Sequence, residues 1–120
     1  VIDLMESQRA IKIKGGAMRL GAYDCELKVG TKVFAAYRKK NISERHRHRY
    51  EVNNRYRKKL ESNGLIFSGL NMELGVIETV EIKDHPWFVA GQFHPELKSR
   101  VNKAHPLFRE FIKASVRRMK

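Results

Sequence analysis

Hydrophobic and polar positions alternate with a period of two in several short segments, which predicts extended chain. Residues 18–29 place apolar side chains at most alternate positions, and Leu65–Ser68 and Val76–Ile82 are further strand candidates. Trp87–Phe93 is largely apolar on both faces, so we expect it to be the most deeply buried strand.

Three other segments carry the signals of helix ends. Thr31 can cap a short helix, and Asn53 or Asn54 can cap a second one that ends at Gly64. Pro106 suits the first turn of the last helix. A mixture of strands and helices predicts an α/β or α+β domain. One apolar stripe recurs along the last helix, formed by Phe108, Phe111, Ile112, Ser115, Val116 and Met119.

Composition narrows the class of protein. The chain has 120 residues, 42% hydrophobic and 32% charged, which fits one folded domain or part of one rather than a disordered chain. No apolar run approaches the roughly 18 residues that span a bilayer, so we expect no membrane partner. The single cysteine, Cys25, fits a reducing compartment and predicts a cytoplasmic location.

The net charge of +12 favours polyanionic partners such as nucleic acid, nucleotide phosphates or an acidic domain. The alternative is a solvated basic surface with no specific partner. Basic residues crowd four segments: Arg38–Lys40, Arg45–Arg49, Arg55–Lys59 and Arg109–Lys120.

The strongest chemical signal follows the apolar strand, in Gln92-Phe93-His94-Pro95-Glu96. Residues two apart in extended chain point to the same side, so Glu96 can accept a hydrogen bond from one ring nitrogen of His94. The other nitrogen is then free to face a nucleophile, as in a catalytic triad. The alternative is a histidine and an acid that are paired only for local structure.

A second signal is the alternation of arginine and histidine between Arg45 and Arg49. Extended chain places the three arginines on one face, and a guanidinium suits a carboxylate or a phosphate. His46 and His48 have no further histidine or cysteine at ligand spacing, so we predict no metal site. A nucleic-acid contact or an exposed, ion-paired segment remain open for this stretch.

Two further features of the sequence give weaker evidence about function. The glycines around Arg19, from Gly15 to Gly21, predict a tight loop that enters a strand, but neither a P-loop nor a dinucleotide fingerprint. Cys25 lies within an alternating strand pattern, with no following turn and helix that would form a nucleophile elbow. We therefore interpret Cys25 as a structural residue.

Taken together, these segments resemble the CTP synthase family, over nearly the whole chain. The ending FHPE is shared by many class I glutamine amidotransferases, whereas ERHRHRYE and GGxMRLG are typical of CTP synthases. The matching stretches are GGAMRLGAYDCEL (Gly15–Leu27), ISERHRHRYEVNN (Ile42–Asn54), GLIFSG (Gly64–Gly69), VIETVEIKDHPWFVAGQFHPE (Val76–Glu96) and HPLFREFI (His105–Ile112).

The resemblance implies a fold and a set of roles. The fold would be an α/β, flavodoxin-like class I glutamine amidotransferase domain, of which residues 1–120 form the C-terminal portion. His94 would be the triad histidine and Glu96 its carboxylate partner, while Arg49 and the backbone of Tyr50 would hold substrate glutamine. Gly16 and Arg19 would belong to the region tied to allosteric activation by GTP. Ala17 stands where the family usually has threonine, which removes one hydroxyl from that region.

The resemblance also implies partners outside this chain. The family's cysteine nucleophile lies upstream in a Gly-x-Cys-x-Gly elbow, which is absent here, so we expect the fragment to be inactive alone. The family's synthase domain binds UTP, ATP and Mg²⁺ and receives the ammonia, and the enzyme is a homo-oligomer, tetrameric in the family. We expect no cofactor or metal in this chain. Two alternatives are another class I glutamine amidotransferase and a small basic nucleic-acid-binding module.

Overall fold

The structure is a computed structural model that describes residues 1–4 and 18–119. Gly15, Gly16 and Ala17, which the sequence placed in a tight loop, lie outside the described residues. The described strands are β1 Ile2–Leu4, β2 Arg19–Leu27, β3 Asn41–His48, β4 Tyr50–Val52, β5 Leu65–Asn71, β6 Val76–Ile82 and β7 Val89–Gly91. The helices are α1 Lys32–Tyr37, α2 Arg57–Ser62 and α3 Pro106–Arg118, with 3₁₀ turns at Asn54–Tyr56 and Pro95–Leu97.

Five strands form one sheet in the order β3-β2-β5-β6-β7, and β1 pairs with β4. Each of these pairings is antiparallel. After β7 the chain passes from one edge of the sheet towards the other. The N–H of Gln92 donates to the carbonyl of Glu78 on β6 at 2.9 Å, and that of His94 donates to the carbonyl of Arg45 on β3 at 2.8 Å. The sheet is therefore curled, with β3 and the segment after β7 side by side.

The core lies between the sheet, α1 and the start of α3. Thr31 caps α1 as expected, and its hydroxyl accepts from the N–H of Phe34 at 3.2 Å. The buried carboxylate of Glu81 accepts from the first N–H groups of the same helix, those of Lys32 at 2.9 Å and Val33 at 3.1 Å. These acceptors satisfy donors that would otherwise have no partner. The core side chains are those of Cys25, Leu27, Val33, Ala36, Ile42, Phe93 and Leu107.

The prediction that Trp87–Phe93 is a doubly covered strand is wrong. The strand is limited to Val89–Gly91 and lies at the edge of the sheet, where Ala90 and Gly91 are exposed. Trp87, Val89 and Phe93 pack against the core, whereas Phe88 is exposed. Trp87, Val89 and Phe93 therefore cover the core side of this segment with the usual period of two. The apolar residues between them, such as Phe88 and Ala90, point outwards.

The most deeply buried strand is β6, and it carries two glutamates. Glu78 and Glu81 are 1% and 2% exposed, although charged residues are rarely buried without partners. Glu81 holds the start of α1, and Glu78 accepts from Arg19 at 2.6 Å. The hydrophobicity pattern predicts this strand but not its burial, because the partners of its two glutamates are distant in sequence.

The last helix begins at Pro106, as predicted, but the apolar stripe of α3 is exposed in this chain. Leu107 is the buried member of the helix, and Arg109 donates to the carbonyl of Ala36 at 3.0 Å, which ties α3 to α1. None of the described helices is long and apolar enough to cross a membrane. The exposed stripe members are Phe108, Phe111, Ile112, Ser115, Val116 and Met119.

A test of the core packing is the replacement Gly69→Ala in β5. A Cβ at this position would lie 2.5 Å from Oγ1 of Thr79 and 2.7 Å from Sγ of Cys25. Both neighbours are buried, so we expect the free energy of unfolding to fall by about 1–3 kcal/mol in chemical denaturation. Ala90→Ser adds one atom at an exposed position of the same sheet. This replacement should change the free energy of unfolding by less than about 0.5 kcal/mol. Equal effects of the two replacements would contradict the packing described here.

Candidate active site

The two residues predicted as base and orienter meet in the structure. Nδ1 of His94 donates to Oε1 of Glu96 over 2.7 Å, and this hydrogen bond holds the pKa of Glu96 below its usual range. Nε2 of His94 is left to face a reactant. The side chain of His94 is 40% exposed, so a group from outside the described residues can approach it.

The backbone around His94 is fixed on both sides. Its own N–H is bonded to β3, as described above, and Pro95 begins the short 3₁₀ turn that ends the extended chain. The turn places Glu96 back over the imidazole. Because the described sheet is antiparallel, the rule that ligands bind at the carboxyl edge of a parallel sheet does not account for this position. The curl of the sheet does.

A buried polar cluster secures the chain that follows the turn. Oε1 of Glu44, on β3, accepts from the hydroxyl of Tyr37 at 2.9 Å and from Nε2 of His105 at 3.0 Å. Nδ1 of His105 accepts from the N–H of Leu107 at 3.3 Å, so the proton of this ring is on Nε2. Lys98 adds a contact to β3 through the carbonyl of Ser43. The cluster therefore anchors both ends of residues 98–105 beside β3.

Arg49 and Tyr50 lie at the junction between β3 and β4. The side chain of Arg49 is partly buried, and its Nε has no hydrogen-bond partner in the part of the chain that the structure describes. No acidic side chain among those residues forms an ion pair with it. A guanidinium without an acidic partner suits an anionic ligand. The side chain of Tyr50 is exposed, so the contribution of this residue to a pocket would come from its backbone.

Arg19 has a structural role that the sequence did not indicate. Its guanidinium is 3% exposed and donates to Glu51 at 2.8 Å and to Glu78 at 2.6 Å. Burial alone would lower the pKa of Arg19, but the hydrogen bonds and charges of Glu78 and Glu51 outweigh it and raise this pKa. Burial raises the pKa of both carboxyls, against the opposing effect of Arg19. The interpretation that Gly16 and Arg19 belong to a GTP-linked region stays a prediction, since Gly16 lies outside the described residues.

The two histidines of the basic stretch are bonded to each other. Nδ1 of His46 and Nε2 of His48 are 2.7 Å apart, and His46 is buried beside Glu78. Burial, followed by the charge of Arg19, lowers the pKa of His46 to about 3 and also lowers that of His48. Among residues 1–4 and 18–119 no group of three or more histidine, cysteine, aspartate or glutamate side chains could hold a metal ion.

Cys25 is part of the core rather than of the site. It is 2% exposed, and burial together with the nearby charge of Glu78 raises the pKa of its thiol to about 12. A nucleophilic cysteine acts as the thiolate, which this environment disfavours at neutral pH. The structure therefore agrees with the structural interpretation of Cys25.

Four residues that support the site were missed from the sequence. Glu44, Glu51, Glu78 and His105 are all buried and all carry hydrogen bonds or ion pairs to residues distant in sequence. One signal was present for the first of them, because Glu44 and His46 share the inward face of β3 at a spacing of two. No local pattern indicated the others.

Comparison with known proteins is consistent with this geometry. The profile of the family described as glutamine amidotransferase class-I matches residues 4–114. The chain belongs to the class I glutamine amidotransferases. This membership confirms the fold class that the resemblance implied.

Two relatives of this chain are named CTP synthase. The chain is 59% identical over 115 residues to the CTP synthase of Methanosphaera stadtmanae and 59% identical over 115 residues to that of Chlorobaculum parvum. Each match covers 96% of this chain but only 22% and 20% of those proteins. The chain therefore spans about a fifth of the length of the curated relatives that it matches.

A solved structure extends this similarity to the fold. The glutaminase domain of Trypanosoma brucei CTPS, with bound acivicin, matches with a TM-score of 0.88 and 31% identity. The match covers 98% of this chain and 46% of that chain. This chain therefore corresponds to about half of that glutaminase domain.

Arg19→Met tests the buried ion pairs. The replacement leaves two carboxylates buried without their cation, so we expect the free energy of unfolding to fall by about 3–5 kcal/mol. Lys40→Met is a matched control, because Lys40 pairs with Glu26 at 3.1 Å on the surface, and it should cost no more than about 1 kcal/mol. Denaturant titration of both variants measures the difference. A small loss for Arg19→Met would show that the two carboxyls do not depend on this cation.

Proposed function

We propose that this chain supplies the base and the glutamine-carboxylate site of the glutamine-hydrolysing half of a CTP synthase. The observation that carries the proposal is the 2.7 Å hydrogen bond between His94 and Glu96. It supplies an oriented imidazole in a chain that is 59% identical to proteins named CTP synthase. The two alternatives, another class I amidotransferase and a nucleic-acid-binding module, are not favoured by those relatives.

The proposed chemistry is acyl transfer. A cysteine thiolate from a part of the protein outside residues 1–120 attacks the side-chain amide carbon of glutamine and forms a tetrahedral intermediate. Nε2 of His94 donates a proton to the amide nitrogen, which leaves as ammonia, and a thioester remains. The same nitrogen then takes a proton from water, which attacks the thioester and releases glutamate and the thiol. Glu96 keeps the imidazole in the correct tautomer and stabilises its charged form.

Arg49 would bind the α-carboxylate of glutamine, with the backbone of Tyr50 beside it. The support is the partly buried guanidinium, whose Nε has no protein partner among the described residues. Arg45 and His94 are joined by a backbone hydrogen bond, and Arg49 follows Arg45 by four residues. Base and cation are thus carried by the same part of the curled sheet.

The ammonia would be used by a synthase domain of the same protein. We propose that this domain binds UTP and ATP with Mg²⁺, phosphorylates the uracil 4-oxygen and replaces it with ammonia to give CTP. GTP would act as an effector, and the enzyme would be a cytoplasmic homo-oligomer, tetrameric as in the family. These proposals are supported by the named relatives and by the sequence resemblance.

His94→Ala in the complete enzyme separates this proposal from a structural role for the histidine. Loss of a triad member costs several orders of magnitude in rate, but free ammonia bypasses glutamine hydrolysis. We expect glutamine-dependent CTP formation to be abolished and ammonia-dependent formation to be nearly unchanged. His85→Ala, in an exposed turn, should alter neither rate. Equal loss with both nitrogen sources in a folded variant would contradict the assignment.

Arg49→Ala tests the carboxylate site. Because a charge-assisted pair is lost, the KM for glutamine should rise by an amount equivalent to about 2–4 kcal/mol of binding. Arg49→Lys should restore little, since an ammonium lacks the planar pair of donors. Arg47→Ala is the control, because Arg47 is exposed on the preceding strand. Unchanged glutamine kinetics in Arg49→Ala would remove this residue from the site.

A further inference from the structure

Glu78, His46 and His48 form a line of polar side chains that the proposed chemistry does not use. Oε2 of Glu78 lies 3.5 Å from Nε2 of His46, and Nδ1 of His46 lies 2.7 Å from Nε2 of His48. Nδ1 of His48 lies 3.1 Å from the carbonyl oxygen of Tyr50. The line thus runs from the buried strand β6 through β3 to the backbone of the proposed glutamine site.

The direction of these hydrogen bonds is fixed at the Tyr50 end. A carbonyl oxygen only accepts, so Nδ1 of His48 must carry the hydrogen. Oε1 of Glu51, 3.5 Å away, is a second acceptor on the same nitrogen. Burial and the charge of Arg19 lower the pKa of His48, which favours the neutral ring. Nε2 of His48 lies 2.7 Å from Nδ1 of His46, so one hydrogen between these two nitrogens holds the ring of His48 in place.

At the other end of the line, His46 and Glu78 are not hydrogen-bonded to each other. Nε2 of His46 and Oε2 of Glu78 are buried and have no hydrogen-bond partner in the described part of the chain. The hydrogen bonds of the line therefore run from His46 through His48 to the carbonyl of Tyr50. Glu78 remains the ion-pair partner of Arg19.

We infer that His46 and His48 form a hydrogen-bond relay, ending at the carbonyl of Tyr50, that makes His48 a positioning residue for the glutamine site. The inference rests on the proposed function for the part that concerns glutamine. His48 does not touch substrate in this scheme. It holds the backbone next to Arg49, and the hydrogen bond to His46 holds the ring of His48.

The relay lies among other charged and titratable groups. Arg19 and Tyr23 face His46 from β2, with the rings of Tyr23 and His46 5.4 Å apart. Glu51 faces His48 from β4, and the charge of His94 acts on both histidines. Arg19 is also bonded to Oε1 of Glu78.

The first test observes the hydrogens without any assay of activity. Solid-state ¹⁵N NMR of the complete enzyme labelled on histidine distinguishes protonated from bare ring nitrogens. We expect a hydrogen on Nδ1 of His48 at pH 7, assigned by the signals lost in His48→Gln. A bare Nδ1 on His48 would overturn the relay.

The second test uses two amides that mimic different ring nitrogens. The amide of asparagine occupies the place of Nδ1 and can still donate to the Tyr50 carbonyl, whereas that of glutamine reaches the place of Nε2. His48→Gln should raise the KM for glutamine by about tenfold or more, with kcat and ammonia-dependent CTP formation within about threefold. His48→Asn should lie within about threefold of the parent KM. Equal KM values for the two variants would contradict the positioning role, and His85→Gln should leave the KM unchanged.

Failure of the relay and failure of the proposed function give different results. A parent enzyme that forms CTP from ammonia but never from glutamine contradicts the proposed function, independently of the NMR result. A parent enzyme that uses glutamine but has no hydrogen on Nδ1 of His48 contradicts the relay and leaves the proposed function standing.

Discussion

The described structure depends most on the buried ion pairs of Arg19 with two glutamates. Arg19 joins three strands, because it lies on β2 and donates to Glu51 on β4 and to Glu78 on β6. Two carboxylates at 5% or less side-chain exposure would be costly without this cation. One of these strands, β4, begins at Tyr50 of the proposed glutamine site, so the ion-paired cluster sets the position of Tyr50 relative to the centre of the sheet.

The curl of the sheet does the rest of the positioning. The backbone bond from His94 to Arg45 closes the gap between the segment after β7 and β3, and the cluster around Glu44 secures the chain beyond it. His94, the proposed base, is therefore held in place by two sets of contacts although it is exposed. For the proposed reaction, precise placement of this imidazole matters more than its burial.

The excess positive charge and part of the apolar side chains lie on the outside of the molecule. Much of the excess of basic residues is on exposed positions, and the apolar face of α3 is uncovered. Buried charged side chains, in contrast, are few, and each has polar partners: Arg19 bonds two glutamates, and Glu44 and Glu81 accept hydrogen bonds. The net charge of +12 thus says little about the interior.

Local signals in the sequence determined the helix starts at Thr31 and Pro106, the strand Val76–Ile82, and the pairing of His94 with Glu96. Each of these depends on residues that are close together in the chain, so spacing alone can reveal them. The burial of β6 and the roles of Glu51 and Glu78 depend on contacts across 32 and 59 residues to Arg19. Trp87–Phe93 was misjudged for the same reason, because its place at the sheet edge is set by strand order and not by its own composition. Only the tertiary structure decides such features, because a buried charge is stable only where its distant partner is in contact.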